Sequence, residues 1–193
     1  MSVCIIAYSG RGRLARAVAA YLLQRQVPVR GVIDRPTAHI RALEELGVKV
    51  SLLQPQEWLP FCEQEKAKLI VLAGYLSLVP APVVQQYLVV NSHPSLLPAF
   101  GGKGMYGYKV HQAVAQAGAA ESGFTIHLAS EQYDEGPILY QVRLPVEGLS
   151  PQQMEAWIQA AEKEVYPAFI YRLWCEEATI PLIKRSSSES LKQ

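Results

Sequence analysis

"SVCIIAYSGRGRLARAVAAYLLQRQVPVRGVID", residues 2–34, decides the fold. It opens on a short apolar run dense in Val and Ile, which reads as a strand. After the glycines the period changes: across residues 13–26, Leu14, Ala17, Val18, Tyr21 and Leu22 share one helical face. "VPVRGVID" is then a second strand that ends at Asp34. Strand, helix, strand, with nearly continuous apolar strands, describes a βαβ unit. Such units build a parallel sheet with helices on both faces.

Further along the chain the alternation continues. Residues 38–46 have helical spacing and Gly47 stands where helices commonly stop. "VKVSLL" (48–53) is a third strand, residues 55–66 a helix, and "AKLIVLAGY" (67–75) a fourth strand, apolar on both faces and therefore central. "YLVVNSH" (87–93) is the fifth. The second half differs. "YGYKVHQAVAQAG" is a helix closed by Gly118. In "ESGFTIHLAS", Phe124, Ile126 and Leu128 face one way and Thr125 and His127 the other. "PILYQVRLPV" is a further strand, far enough from the previous one for an antiparallel pair. Ser150 caps a long helix, with Pro151 at its first position and Gln153 placed for a capping box, and that helix runs to about Trp174. The expected class is therefore α/β, with a mostly parallel central sheet flanked by helices and antiparallel strands in the C-terminal half.

Composition bounds the function. Half of the 193 residues are hydrophobic, enough for a sizeable core, and the net charge is +1. One domain is expected over residues 1–175; residues 176–193 form a polar extension whose end, "KRSSSESLKQ", reads as a disordered tail. Near-neutral charge argues against nucleic acid as a partner. No apolar run reaches about 18 residues, so no membrane span is expected. The N-terminus has no basic region before its short apolar run, so it does not read as a signal peptide. Cys4, Cys62 and Cys175 are far apart and odd in number, with no metal spacing; a reducing, cytoplasmic setting and no metal are expected.

Two constellations carry chemistry. The first is "SGRGRLA", residues 9–15. Gly10, Gly12 and Ala15 match G-x-G-x-x-A, and Asp34 follows about 20 residues on, as in a dinucleotide fingerprint with an acidic residue for a ribose hydroxyl. The glycines let backbone N–H groups approach a phosphate at a helix N-terminus, and Arg11 and Arg13 add charge. Tight strand–helix packing without a ligand produces the same pattern. The second is "VVNSHPSLLPAFGGKG", residues 89–104, which places Asn91 and His93 on one side of the fifth strand near its carboxyl end. Ligands of open parallel sheets bind beyond those ends, and an amide with an imidazole there can address one developing oxyanion. A histidine beside proline is also an ordinary structural residue. A carboxylate partner for His93 would come from "EQYDEGPI", as Glu131, Asp134 or Glu135, and spacing does not choose among them. His127 reads as a strand histidine on a half-buried face.

"NSHPSLLP", followed by "SGFTIHLASEQYDEGPIL", closely resembles the phosphoribosylglycinamide formyltransferases, folate-dependent enzymes of purine biosynthesis. The resemblance runs to about Trp174 and takes in "IVLAGYLSLVP" and "EKEVYP". The first string and the downstream D-x-G-P are shared with the wider formyltetrahydrofolate-dependent family; "GGKGMYGYKVHQAV" and the short length favour the purine enzymes. The resemblance implies a Rossmann-like formyltransferase fold and transfer of the formyl group of N10-formyltetrahydrofolate, the cosubstrate, to the amine of 5-phosphoribosylglycinamide. It implies a tetrahedral oxyanion intermediate and needs neither a metal nor a covalent nucleophile. Asn91, His93 and Asp134 are implied as catalytic, with His93 a cation whose pKa Asp134 raises. Gly10, Gly12, Arg13 and Leu14 would hold the substrate phosphate. Leu76, Ser77, Leu78, Val79, Tyr133, Glu135 and Gly136 would line the folate pocket, residues 76–79 reading equally as strand-end core. Glu162 would reach the ribose, or stand as a surface charge on the last helix.

The chain departs from the family pattern at both ends of the site. "SGRGRL" is one residue shorter than the usual phosphate loop and lacks its hydroxyl and amide, with Arg13 available in their place. Ser77 stands where an arginine is common, and residues 55–68 hold no arginine. Two further readings stay open: a related formyltransferase acting on another amine, and a non-catalytic nucleotide-binding module. Small-molecule partners are expected, and a monomer and a homodimer are both open.

Overall fold

The computed structural model describes residues 1–36 and 40–176. Seven strands form one sheet in the order β3-β2-β1-β4-β5-β6-β7. β1 (Val3–Tyr8), β2 (Val29–Ile33), β3 (Val50–Leu52), β4 (Ala67–Leu72) and β5 (Leu88–His93) run parallel; β6 (Glu121–Leu128) and β7 (Ile138–Pro145) complete it antiparallel. β4 is the middle strand, as its two apolar faces require. The mostly parallel α/β architecture expected from the alternation is the one observed.

Period-two alternation divides the core. Cys4, Ile6, Tyr8, Leu69, Val71 and Val90 face one layer, with α1 (Arg13–Leu23), α5 (Tyr108–Gln116) and α6 (Pro151–Glu176). Val3, Ile5, Ala7, Ile70, Leu72 and Val89 face the other, with α3 (Trp58–Gln64) and α4 (Ala81–Gln86). β6 keeps the same rule: Phe124 and Ile126 join the first layer, while Thr125 and His127 point away from it and are also buried.

Several boundaries shift. α1 ends at Leu23, three residues early, where Gln26 turns left-handed. The helix expected over 55–66 is a 3-10 turn, Pro55–Glu57, followed by α3. Of the helix expected over 38–46, α2 (Arg41–Glu44) is seen, and residues 37–39 lie outside the described residues. So does the polar tail. α4 was not anticipated; its prolines, Pro80 and Pro82, suggest a loop, yet proline is well tolerated in a first turn, where its missing N–H has no partner to lose. The capping box of α6 is formed: Ser150 N–H donates to Gln153 Oε1 (2.8 Å) and Gln153 N–H to Ser150 Oγ (3.3 Å).

α6 supports the carboxyl ends of the central strands. On its buried stripe Tyr166 is fully enclosed, and its hydroxyl lies 3.0 Å from the Leu72 carbonyl and 3.1 Å from that of Val90. Those strand ends carry the site described next. Removing the hydroxyl leaves the acceptors in place without this donor. Tyr166→Phe is expected to lower unfolding free energy by about 1–2 kcal/mol in urea titrations; no loss would show that the bond contributes nothing.

Candidate active site

β5 ends at the floor of a cavity of about 840 Å³. Asn91 and His93 stand on the same side of that strand. The antiparallel register of β6 sets His127 opposite Asn91 and Thr125 opposite His93. Asp134 closes the group from the β6–β7 loop, in a left-handed backbone conformation at φ 59.

The loop after β5 is held tightly. Thr125 Oγ1 donates to the Ser95 carbonyl (2.7 Å) and accepts from Leu97 N–H (3.0 Å), and the Gln141 amide donates to the Leu97 carbonyl (2.9 Å). These bonds fold the segment so that the Phe100 carbonyl lies 2.9 Å from His93 Nε2. The neighbouring Gly102 N–H donates to Asp134 Oδ2 at 2.9 Å. Asp134 Oδ2 is 3.3 Å from His93 Nδ1, and Oδ1 is 3.6 Å from His127 Nε2. Asp134 is therefore the carboxylate that meets His93. Glu131 accepts from Gln85 at 2.7 Å, and Glu135 is exposed beside the Gln132 amide.

Hydrogen bonding fixes the roles of the amide. His127 Nδ1 lies 2.9 Å from the Leu128 carbonyl, so in a neutral ring that nitrogen carries the proton and Nε2 accepts. Asn91 Nδ2, 3.1 Å from Nε2, then donates to it and keeps a second N–H for a ligand.

Burial and charge compete at both ionisable partners. Burial opposes ionisation of Asp134, yet the adjacent His127 ring, the charge of His93 and the Gly102 N–H outweigh it and hold the carboxyl below its ordinary 3.8. At His93 burial is the strongest influence and disfavours the cation. Asp134 and the Phe100 carbonyl pull the other way, His127 adds to the fall, and the pKa ends below 6.5. Asp134 thus acts on His93 in the direction the resemblance implies, raising its pKa, but burial outweighs it.

The rest of the cavity wall has two characters. Gly12, left-handed at φ 66, precedes α1 without any side-chain cap, so the first-turn N–H groups remain open. A Cβ there would meet that of Ala42 at 2.9 Å. Gly10, Leu14 and the cations Arg11, Arg13, Lys103 and Lys163 also line the cavity; among the described residues these four cations form no salt bridge. The wall also includes Leu76, Ser77, Leu78, Val79 and Tyr133, whose hydroxyl donates to the Leu76 carbonyl at 3.4 Å. Glu135 and Gly136, expected with them, are not on the wall. Gly136 shapes the backbone instead. A Cβ at this position would fall 1.7 Å from the Leu128 carbonyl, so only glycine lets the Asp134 loop pass.

Glu162 lines the cavity from α6 and is buried, which removes the surface-charge reading. Ser92 Oγ donates to its Oε1 at 2.5 Å. Burial raises its pKa from 4.5 to about 7, against the opposing pull of Ser92 and Lys163. His111 on α5 also reaches the wall; its Nδ1 has no partner among the described residues, and burial, aided by the charge of His93, pushes its pKa to about 4. No group of three or more metal-ligating side chains is found among the described residues, and no described helix is long and apolar enough to cross a membrane.

The family described as Formyl transferase matches residues 7–170. The chain belongs to the formyl transferase family. It is 38% identical over 145 residues to the chloroplastic phosphoribosylglycinamide formyltransferase of Arabidopsis thaliana, covering 70% of this chain and 49% of the relative. It is 34% identical over 161 residues to the phosphoribosylglycinamide formyltransferase of Bacillus subtilis, covering 80% of each. The chain spans about half the length, or less, of the curated plant relatives it matches. Among solved structures, glycinamide ribonucleotide transformylase 1 of Symbiobacterium toebii superposes with a TM-score of 0.79 at 28% identity, covering 92% of this chain and 89% of that one. Rossmann-like formyltransferase architecture, expected from the motifs, is thereby established.

In this formyl transferase Glu162 sets a stability cost. Folding favours its protonated form, so its stabilising contribution is complete below pH 4.5 and lost as pH rises through about 7. Glu162→Gln is expected to be more stable than the parent at pH 8, by up to about 3 kcal/mol, with the difference vanishing near pH 4.5. Parallel melting-temperature profiles for the two proteins would refute this assignment.

Proposed function

We propose that the chain transfers the formyl group of N10-formyltetrahydrofolate to the amine of 5-phosphoribosylglycinamide, a step of purine biosynthesis. The observation that carries this reading is the group Asn91–His127–Asp134–His93 at the carboxyl end of β5, inside a cavity whose wall also carries the open N–H groups of α1, four cations and the 76–79 segment. The names of the Arabidopsis and Bacillus relatives support the substrate assignment. A volume near 840 Å³ suits two small ligands side by side. The nucleotide-binding alternative is weakened because Asp34, the acid of that fingerprint, is absent from the cavity wall and engaged elsewhere.

The chemistry is an acyl transfer. A bond forms between the amine nitrogen and the formyl carbon, and the bond from that carbon to N10 breaks. One proton leaves the amine and one arrives at N10. Asn91 offers its free amide N–H to the formyl oxygen as negative charge builds there. His93, neutral at rest, accepts the amine proton directly or through water, and as a cation adds to oxyanion stabilisation before giving the proton to the departing nitrogen. Asp134 balances the charge that His93 gains and holds the ring against the Phe100 carbonyl. His127 orients Asn91. The first-turn N–H groups of α1, with Arg13 and Arg11, would hold the phosphate in place of the usual hydroxyl and amide. The 76–79 segment and Tyr133 would bind the folate.

Purified protein with both substrates should deformylate the folate stoichiometrically with formylation of the amine. Asp134→Asn should lower kcat by about 100-fold or more while the protein stays folded. A folded parent that does not turn over, or an Asp134→Asn variant with parental kcat, would overturn the reading.

A further inference from the structure

Asp34 belongs to a motif that the catalytic group does not use. It follows β2 directly, and its carboxylate is 7% exposed. Arg35 grips it in a fork, Nε to Oδ1 at 3.1 Å and Nη2 to Oδ2 at 2.7 Å. Ser77 Oγ donates to Oδ2 at 2.5 Å. Ser9 accepts from Leu76 N–H at 2.9 Å, and its own N–H donates to the Gly74 carbonyl at 3.0 Å. The carboxylate and the bonds around it therefore tie together three segments: the end of β1, held through Ser9 and Leu76, the end of β2, and the stretch after β4. The first leads straight into the phosphate loop at Gly10. The third is the apolar wall at residues 76–79. Asp34 itself does not line the cavity.

We infer that Asp34 is a positioning residue that locks the phosphate loop and the folate-binding segment into one arrangement, so that each substrate's site depends on it although neither substrate touches it. The inference rests on the proposed formyl transfer. Every contact to the carboxylate comes from a donor, so it acts as an acceptor-only hub. An asparagine has the same shape but brings N–H groups against Ser77 or the Arg35 fork, and the network cannot close. Burial raises the cost of leaving those donors without an acceptor. The extended dinucleotide reading, with Asp34 free to hold a ribose hydroxyl, has no room in this arrangement.

The experiment compares the parent protein with Asp34→Asn, Asp34→Ala, Ser77→Ala and the Asp34→Ala/Ser77→Ala double variant. Steady-state constants are measured for both substrates, with calorimetric Kd values for glycinamide ribonucleotide and for N10-formyltetrahydrofolate. Asp34→Asn should raise KM and Kd for both substrates about tenfold and leave kcat within about threefold. Ser77→Ala should raise only the folate values, and the double variant should be no worse for folate than Asp34→Ala alone. Parental constants in a folded Asp34 variant, a fall in kcat at unchanged KM, or additive effects in the double variant would each overturn the inference. If Asp34→Ala does not fold, Asp34→Asn and Ser77→Ala still decide it. A parent that neither binds nor turns over the pair would instead sink the formyl-transfer reading, which keeps the two failures apart.

Discussion

A single carboxylate, Asp134, is the constraint around which the site is organised. It is 9% exposed, yet held ionised by two histidines and a backbone N–H. Reaching them requires a left-handed backbone at a non-glycine residue, which costs energy that the surrounding bonds must offset. Gly102 supplies the N–H, Gly136 lets the loop pass the Leu128 carbonyl, and the β5–β6 register delivers His93 and His127 to the two carboxylate oxygens. Without Asp134, two buried imidazoles would lie in a cavity with nothing to balance a proton. The antiparallel addition to an otherwise parallel sheet thus has a chemical consequence: it brings side chains of β6 and the loop after it against the carboxyl end of β5.

The ionisation pattern follows from the same burial. His93 is poised between desolvation, which favours the neutral ring, and Asp134, which favours the cation. In the proposed transfer a developing oxyanion would add a second negative neighbour and tip that balance at the moment the proton is needed. Glu162 shows the reverse cost. It is buried on the inner face of α6 at an elevated pKa, where a neutral side chain would suit folding better. At neutral pH and above, Glu162 therefore lowers stability while Asp134 adds to it.

Much of this was legible in the sequence. Period-two strands gave the sheet and its two layers, and the same period put Asn91 and His93 on one side. Asp134 was one of three candidates, because proximity in a loop does not reveal which carboxylate turns inward; the left-handed backbone and the Gly102 bond make that choice. His127 looked structural because its partner, Asn91, is 36 residues away and only antiparallel register unites them. Glu162 was readable as buried from its phase, since Met154, Ile158, Glu162, Tyr166 and Ile170 recur every fourth residue on α6. Asp34 matched a fingerprint whose spacing is indifferent to which groups the carboxylate binds. α4 was hidden by prolines that mark loops and helix starts alike.

The central claim is that Asp134 lets His93 change charge during the reaction. Nitrogen NMR of the labelled His93 ring tests it most directly, at pH 7, in the free protein and with a bound hydrated-aldehyde analogue of the tetrahedral adduct. A neutral ring is expected in the free protein, a doubly protonated ring in the complex, and no such change in Asp134→Asn. A ring that keeps one protonation state in both, or that changes equally without Asp134, would contradict the claim.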